Sequence, residues 1–323
     1  VFDNNLDFSS FDGSPGASGA TNLAAVSAFN TAYAALSGRT RLYIPPGTYT
    51  SSTGFFFANT AGIAGSQLTI DGYGVTLTGQ SGSQNSIAGN AGISTSGTAE
   101  ARFVTNAIGD QTITLVTAGQ TSRFSVGQWC CVSGINMQGA GDPPNLGIFE
   151  YRKIESIGTG TLTFTEPLTN AYKDTWPVYT AGRGGPATVY PMQGFWDQEV
   201  EVRGIRFTDT AQLTYGKSRV IRWTDCLFDT YGPCPSVNNL FRALRCTATG
   251  FGGIEIDKCI NRMEILNSSI RAVDFQSSSV NEVYVSNLTQ PVVGGLGGPR
   301  WRGGGSVSNT FVDVSGTSFS FGP

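Results

Sequence analysis

Glu255 and Asp257 alternate with isoleucine in Gly253-Ile254-Glu255-Ile256-Asp257, a spacing that puts both carboxylates on one side of an extended strand. Residues i and i+2 of a strand lie about 6.5–7 Å apart, and neighbours on adjacent strands about 4.8 Å. A repeat of about 20–22 residues sets Asp274, in Ala272-Val273-Asp274-Phe275, beside Glu255 on the next strand. The two spacings bracket the carboxyl separations used in inverting and retaining glycoside hydrolysis. Carboxylates that close also push one pKa up toward the range of a general acid. Glu255, Asp257 and Asp274 are the candidate catalytic residues, with Arg271 and Lys258 as neighbouring cations and Tyr215 as a ring able to stack on a sugar. The competing reading is a solvated strand surface, on which a few scattered acids are ordinary.

Composition narrows the chemistry. The 323 residues contain no histidine, which excludes a Ser-His-Asp or Cys-His nucleophile system and a histidine-held zinc. Lys and Arg are scattered and the net charge is −3, so a nucleic-acid partner is not expected. No stretch approaches the ~20 apolar residues of a membrane span, so membrane insertion is not expected either. The opening Val1-Phe2-Asp3-Asn4 lacks the positive region of an intact signal peptide. The six cysteines show no metal-ligand spacing, and no metal site is expected from them.

Carboxylates on neighbouring strands need a scaffold that stacks strands in register. Val202-Arg203-Gly204-Ile205-Arg206-Phe207 aligns with segments beginning at Trp223, Ala243, Ile265, Val285 and Val307. One column reads Gly204, Asp225, Arg245, Asn267, Asn287, Asn309, and five of these six are types that tolerate a left-handed backbone. The period predicts a right-handed parallel β-helix, each coil bending at one left-handed residue. Its stacked asparagines are expected to form an interior ladder, closing the sequons Asn267-Ser268-Ser269 and Asn287-Leu288-Thr289 to glycan. Cys226 and Cys246 are expected to point inward as small core residues, and Trp223 to belong to the core. The following sheet is expected to carry Leu213, Cys234, Ile254 and Val273 or residues near them. The row Glu201, Arg222, Arg242, Glu264, Tyr284 reads as a surface ion ladder, with a substrate groove as the alternative.

Upstream, Asn22 to Leu36 has helical spacing at Val26, Phe29, Tyr33 and Leu36, with Asn22 as N-cap and Gly38 as stop. Phe11-Asp12-Gly13 precedes this helix. Arg41-Leu42-Tyr43-Ile44-Pro45-Pro46-Gly47-Thr48-Tyr49 and Leu68-Thr69-Ile70-Asp71-Gly72 follow it. Over residues 8–80 this arrangement resembles the first module of the pectate-lyase superfamily. Segments of residues 101–184 alternate apolar and polar residues and predict antiparallel hairpins. Within them, Phe124-Ser125-Val126-Gly127-Gln128-Trp129 and Glu150-Tyr151-Arg152-Lys153-Ile154 resemble insertions in the β-helices of phage tailspikes and depolymerases.

The expected organisation is all-β: residues 1–100 as the first β-helix module with a capping helix, 101–184 as an inserted antiparallel β subdomain, and 185–323 as further coils. The resemblance implies a tailspike-type protein, on a virion tail or extracellular, that binds a bacterial surface polysaccharide and cleaves it if catalytic. It also implies a homotrimer working with other virion tail proteins. Cleavage would be hydrolysis by the paired carboxylates, without a cofactor, or β-elimination by an Arg or Lys base such as Arg271 or Lys258, often with calcium. The alternatives are a free-standing secreted polysaccharide lyase or glycoside hydrolase, and a non-catalytic structural β-helix.

Overall fold

The computed structural model describes residues 1–58, 65–79, 85–87, 100–134, 148–175, 186–192, 196–208, 214–216, 218–229, 232–235, 237–249, 253–270, 272–289, 300–302, 306–313 and 320–321. Strands Asn4–Asp7, Arg39–Tyr43, Gln67–Thr78, Glu199–Phe207, Val220–Thr224, Val237–Leu244, Ile254–Leu266 and Ala272–Ser286 stack in that order, every pair parallel. Leu42, Ile70, Val202, Trp223, Ala243, Ile265 and Val285 fall in one register column, and all are buried. Like residues therefore pack on like from coil to coil. Each such Val, Leu or Ile contributes about 1.5–3 kcal/mol relative to an exposed position. This stack of parallel coils is a parallel β-helix, and Trp223 lies in its core.

The bends follow the expected column through five members: Gly204, Asp225, Arg245, Asn267 and Asn287 all have φ between 48° and 69°. The backbone N–H groups of three bends donate to the coil above: Asp225 to Leu244 O, Arg245 to Leu266 O, Asn267 to Ser286 O. Glycine is required at 204 because a Cβ there would fall 2.5 Å from the ring of Tyr73. Asn309 does not belong to the column. It lies within strand Ser306–Asp313 and pairs with Glu282, while Val285 pairs with Val312 rather than Val307. The period fails there because the length of chain between two coils is not fixed by the strands it joins.

The asparagine ladder also differs from expectation. Asn287 Nδ2 donates to Asn267 Oδ1 at 3.1 Å, but both side chains are exposed, so burial does not close the two sequons. A second ladder sits at another corner: Asn281 Nδ2 donates to Asn261 Oδ1 (3.0 Å), and Asn261 Nδ2 to Asn239 Oδ1 (3.1 Å). Cys226 and Cys246 are buried and free, one coil apart, and burial pushes the Cys226 thiol well up. Ser268 continues their column, its hydroxyl accepting from Cys246 N–H at 3.1 Å.

The capping helix runs Gly19–Ala34, starting three residues and ending two residues before its sequence signal. Ser18 is the N-cap, accepting from Thr21 N–H at 3.2 Å. Asn22 instead turns into the core, accepting from Ser14 N–H and donating to Thr50 O. Val26, Phe29 and Tyr33 bury against the first coils as expected.

Six strands between Ala101 and Pro191 form a separate sheet in the order Ala101–Arg102, Thr188–Pro191, Trp129–Ser133, Phe149–Gly158, Thr161–Phe164, Thr112–Thr114, all antiparallel. Its central strands are covered on both faces. One face covers Ile113, Cys130, Val132, Ile154, Leu162 and Val189. The other packs Cys131, Phe149, Tyr151 and Tyr190 against Trp196 and Val237 of the coils. Asn281 Nδ2 also donates to Phe149 O (3.0 Å), and Trp196 Nε1 to Val237 O (2.7 Å), so the second ladder ends on the inserted sheet.

Candidate functional site

Two rows of ionisable residues run along the coils. The first is the expected ladder, and register pairs Glu201 with Arg222, Arg222 with Arg242, Arg242 with Glu264 and Glu264 with Tyr284. Its charges are closed on themselves or on neighbours. Arg242 Nε lies 2.5 Å and Arg262 Nε 2.7 Å from Glu264, whose side chain is buried. Arg203 meets Glu201 at 2.7 Å; Arg222 meets Glu199 at 3.3 Å. Arg219 holds Asp197 and Glu199 and lies 5.6 Å from the Trp129 ring centroid, pinning the coils to the inserted sheet. Every carboxylate named here is already spent on an arginine, which supports the ion-ladder reading over a substrate groove.

At the bends, Arg245 forks onto Asp225 (2.6 and 2.9 Å) and Tyr73 donates to the same carboxylate at 2.7 Å. The Arg245 fork, with help from Tyr73, holds Asp225 below the usual carboxylate range.

The second row holds the candidate catalytic residues, placed here by backbone register. Glu255 is the register partner of Asp274, and Asp257 of Gln276. Glu255 and Asp274 thus stand on adjacent rungs, about 4.8 Å apart along the stack. Asp274 in turn pairs with Arg302, giving the row Glu255, Asp274, Arg302. Sequence reading missed Arg302 because the coil that carries it does not keep the period. Lys258 stands where the register shifts: Asp257 pairs with Gln276 but Cys259 with Ser279, so the next coil carries one extra residue opposite it. Tyr215 belongs to the four-stranded sheet, pairing with Ser86 and Cys234. Cys234 therefore aligns with Tyr215, two residues beyond the expected Leu213, which itself lies outside the described residues. Arg271 also lies outside them.

A further carboxylate escaped the sequence reading altogether. Glu150, 3% exposed, was read as an alternating strand residue. It accepts from Thr169 N–H (2.9 Å) and hydroxyl (3.0 Å), Asn170 N–H (3.2 Å) and Tyr172 OH (2.9 Å), and pairs with Arg152. With both oxygens engaged it organises the loop after Phe164 and offers no free lone pair to a substrate. Burial, and then the charge of Glu150, pushes the Tyr172 phenol well up. Among the described residues, no three His, Cys, Asp or Glu side chains converge on a metal position, and no helix is long and apolar enough to cross a membrane.

No protein-family model and no curated protein matches the sequence. Among solved structures, the chain is similar to the tailspike protein gp49 from Pseudomonas phage LKA1, at 12% identity and TM-score 0.54, over 94% of this chain and 59% of that one. It is also similar to the Pseudomonas phage phi297 tailspike gp61, at 12% identity and TM-score 0.47, over 95% and 65% of the two chains. A third is the Gp54 tailspike of Acinetobacter baumannii bacteriophage AP22, solved in complex with A. baumannii capsular saccharide, at 9% identity and TM-score 0.42, over 94% and 53%. The chain thus spans 53–65% of the length of these proteins. Its stacked parallel coils and the LKA1 likeness agree: the chain has the parallel β-helix fold of a phage tailspike.

Proposed function

We propose that this β-helix is part of a phage tailspike-type protein that binds a bacterial surface polysaccharide and hydrolyses its glycosidic bonds. The observation that carries this is the register of Glu255 against Asp274. Fold likeness at 12% identity speaks for architecture alone, so the chemistry rests on this chain's own residues. Two like charges on adjacent rungs oppose each other, which favours one carboxyl holding a proton. That carboxyl protonates the leaving oxygen while its neighbour attacks the sugar carbon or activates water, with Asp257 as the alternative partner along the strand. Neither step needs a metal. Arg302, Arg271, Lys258 and Tyr215 are assigned to binding the polymer along the coils. The protein works as a homotrimer among other proteins of the virion tail.

The test is incubation with purified capsular and cell-wall glycans. New reducing ends without unsaturated sugars are the expected products. Loss of one carboxyl by Glu255→Gln or Asp274→Asn lowers the rate about 10²–10⁴-fold. Full activity in both variants and in Asp257→Asn overturns the site. Light scattering is expected to give three times the chain mass, and a monomer releasing unsaturated oligosaccharides overturns the reading as a whole.

A further inference from the structure

A cleft of about 340 Å³ opens at the first coil, lined by Asn5, Leu6, Asp7, Arg41 and Tyr43. Two rungs build it. Asn5 pairs with Arg41 and Asp7 with Tyr43, so an amide, a guanidinium, a carboxylate and a phenol ring stand within two strands of one another. Arg41 is held from both sides: its Nε and Nη2 donate to Asp71 Oδ2 at 3.1 and 2.5 Å, and its guanidinium carbon lies 5.6 Å from the Tyr43 ring centroid. Tyr43 nevertheless keeps 36% of its surface exposed. Asp7 accepts from Ser9 N–H and hydroxyl with Oδ1 alone (2.9 and 2.6 Å) and forms no ion pair among the described residues.

These groups suit a sugar ring. An aromatic face takes the C–H face of a pyranose, while a carboxylate and an amide take its hydroxyls. The volume sits at the lower end of small-ligand sites, about 300–1,000 Å³. Charge selects further. Arg41 is paired with Asp71, and Asp7 forms no ion pair among the described residues, so these three groups sum to one negative charge, which disfavours an acidic sugar. We propose that this cleft is a second binding site, for an uncharged hexopyranose unit, remote from the Glu255–Asp274 row along the stack. It extends the polysaccharide reading, which supplies the source of the sugar, but its geometry is independent of any cleavage.

The test is saturation-transfer NMR on the full chain. The probes are the methyl glycosides of glucose, galactose, mannose and N-acetylglucosamine, with methyl glucuronide as the charged counterpart. Transfer to at least one neutral glycoside and none to the glucuronide is expected. Tyr43→Ala and Asp7→Asn should weaken that affinity at least tenfold, and Tyr43→Phe should keep it. The site is overturned if no neutral glycoside binds, if the glucuronide binds equally, or if Tyr43→Ala binds like the parent. Failure here with glycan still cleaved would remove this cleft and leave the hydrolase reading standing. Binding here without cleavage would do the reverse.

Discussion

Two glutamates are buried to nearly the same degree, Glu150 in the inserted sheet at 3% exposure and Glu264 in the coils at 4%, yet the two regions satisfy them differently. Glu264 is held by Arg242 and Arg262, whose side chains remain 35% and 51% exposed. Glu150 is held by backbone N–H groups, hydroxyls and Arg152, which is 12% exposed. The coil solves the problem with one arginine on the same strand and one on the neighbouring rung, where each partner can return to water. The sheet solves it with a loop folded around one side chain, where Tyr172 is fully buried and Arg152 nearly so, while Thr169 stays exposed. Removing a group with buried partners leaves those partners uncompensated, and removing one with wet partners does not.

The largest expected effect follows from this contrast. Glu150→Ala should lower unfolding stability by about 3–5 kcal/mol in urea titration, because the Thr169, Asn170, Tyr172 and Arg152 donors lose their acceptor. A loss under about 1 kcal/mol would erase the distinction between the two regions.

The buried phenols extend the comparison into pH. Burial pushes Tyr33 up to about 12, and its bond to Ser66 lowers it only in part. The unfolded chain releases this proton near the ordinary value of about 10, so stability is complete below pH 10 and falls as pH rises toward 12. The loss over that interval is roughly 2–3 kcal/mol. Tyr172, raised further by Glu150, should sharpen the fall. Chemical denaturation from pH 8 to 12 checks this, and Tyr33→Phe should flatten the curve.

Asn281→Ala removes the bonds to Asn261 and Phe149 and should cost about 1 kcal/mol, with faster amide exchange around residues 149–151. Unchanged exchange there would mean that the ladder does not dock the sheet. The smallest effect is expected from Glu264→Ala, about 1 kcal/mol or less, because its arginines are already half in water. A loss matching that of Glu150→Ala would show coil and sheet to be equivalent.

The coils were legible because their rule is local and repeats. Gly204, Asp225, Asn267 and Asn287 are of the types that left-handed bends admit, Arg245 adopts the same backbone at the same place, and all five recur with the strands they join. The ion ladder was legible for the same reason, since rung neighbours follow from the period. Asn309 was misread and Arg302 missed because the last coils keep strand register but not spacing. Glu150 was missed because its partners are the backbone and side chains of residues 169–172, whose approach no periodicity encodes. The helix start was misplaced because Asn22 and Ser18 are both good caps, and only the core decides which is drawn inside.

By itself the sequence determined the parallel coil, its bends, its inward columns and the absence of histidine from any chemistry, because each depends on residue type at a fixed local spacing. Tertiary structure decided which carboxylates are spent on arginines, which one is sealed by a loop, and that Arg302 joins the Glu255–Asp274 row. Those outcomes depend on how connecting segments of unequal length bring distant residues to the same rung, and the length of a connection carries no period.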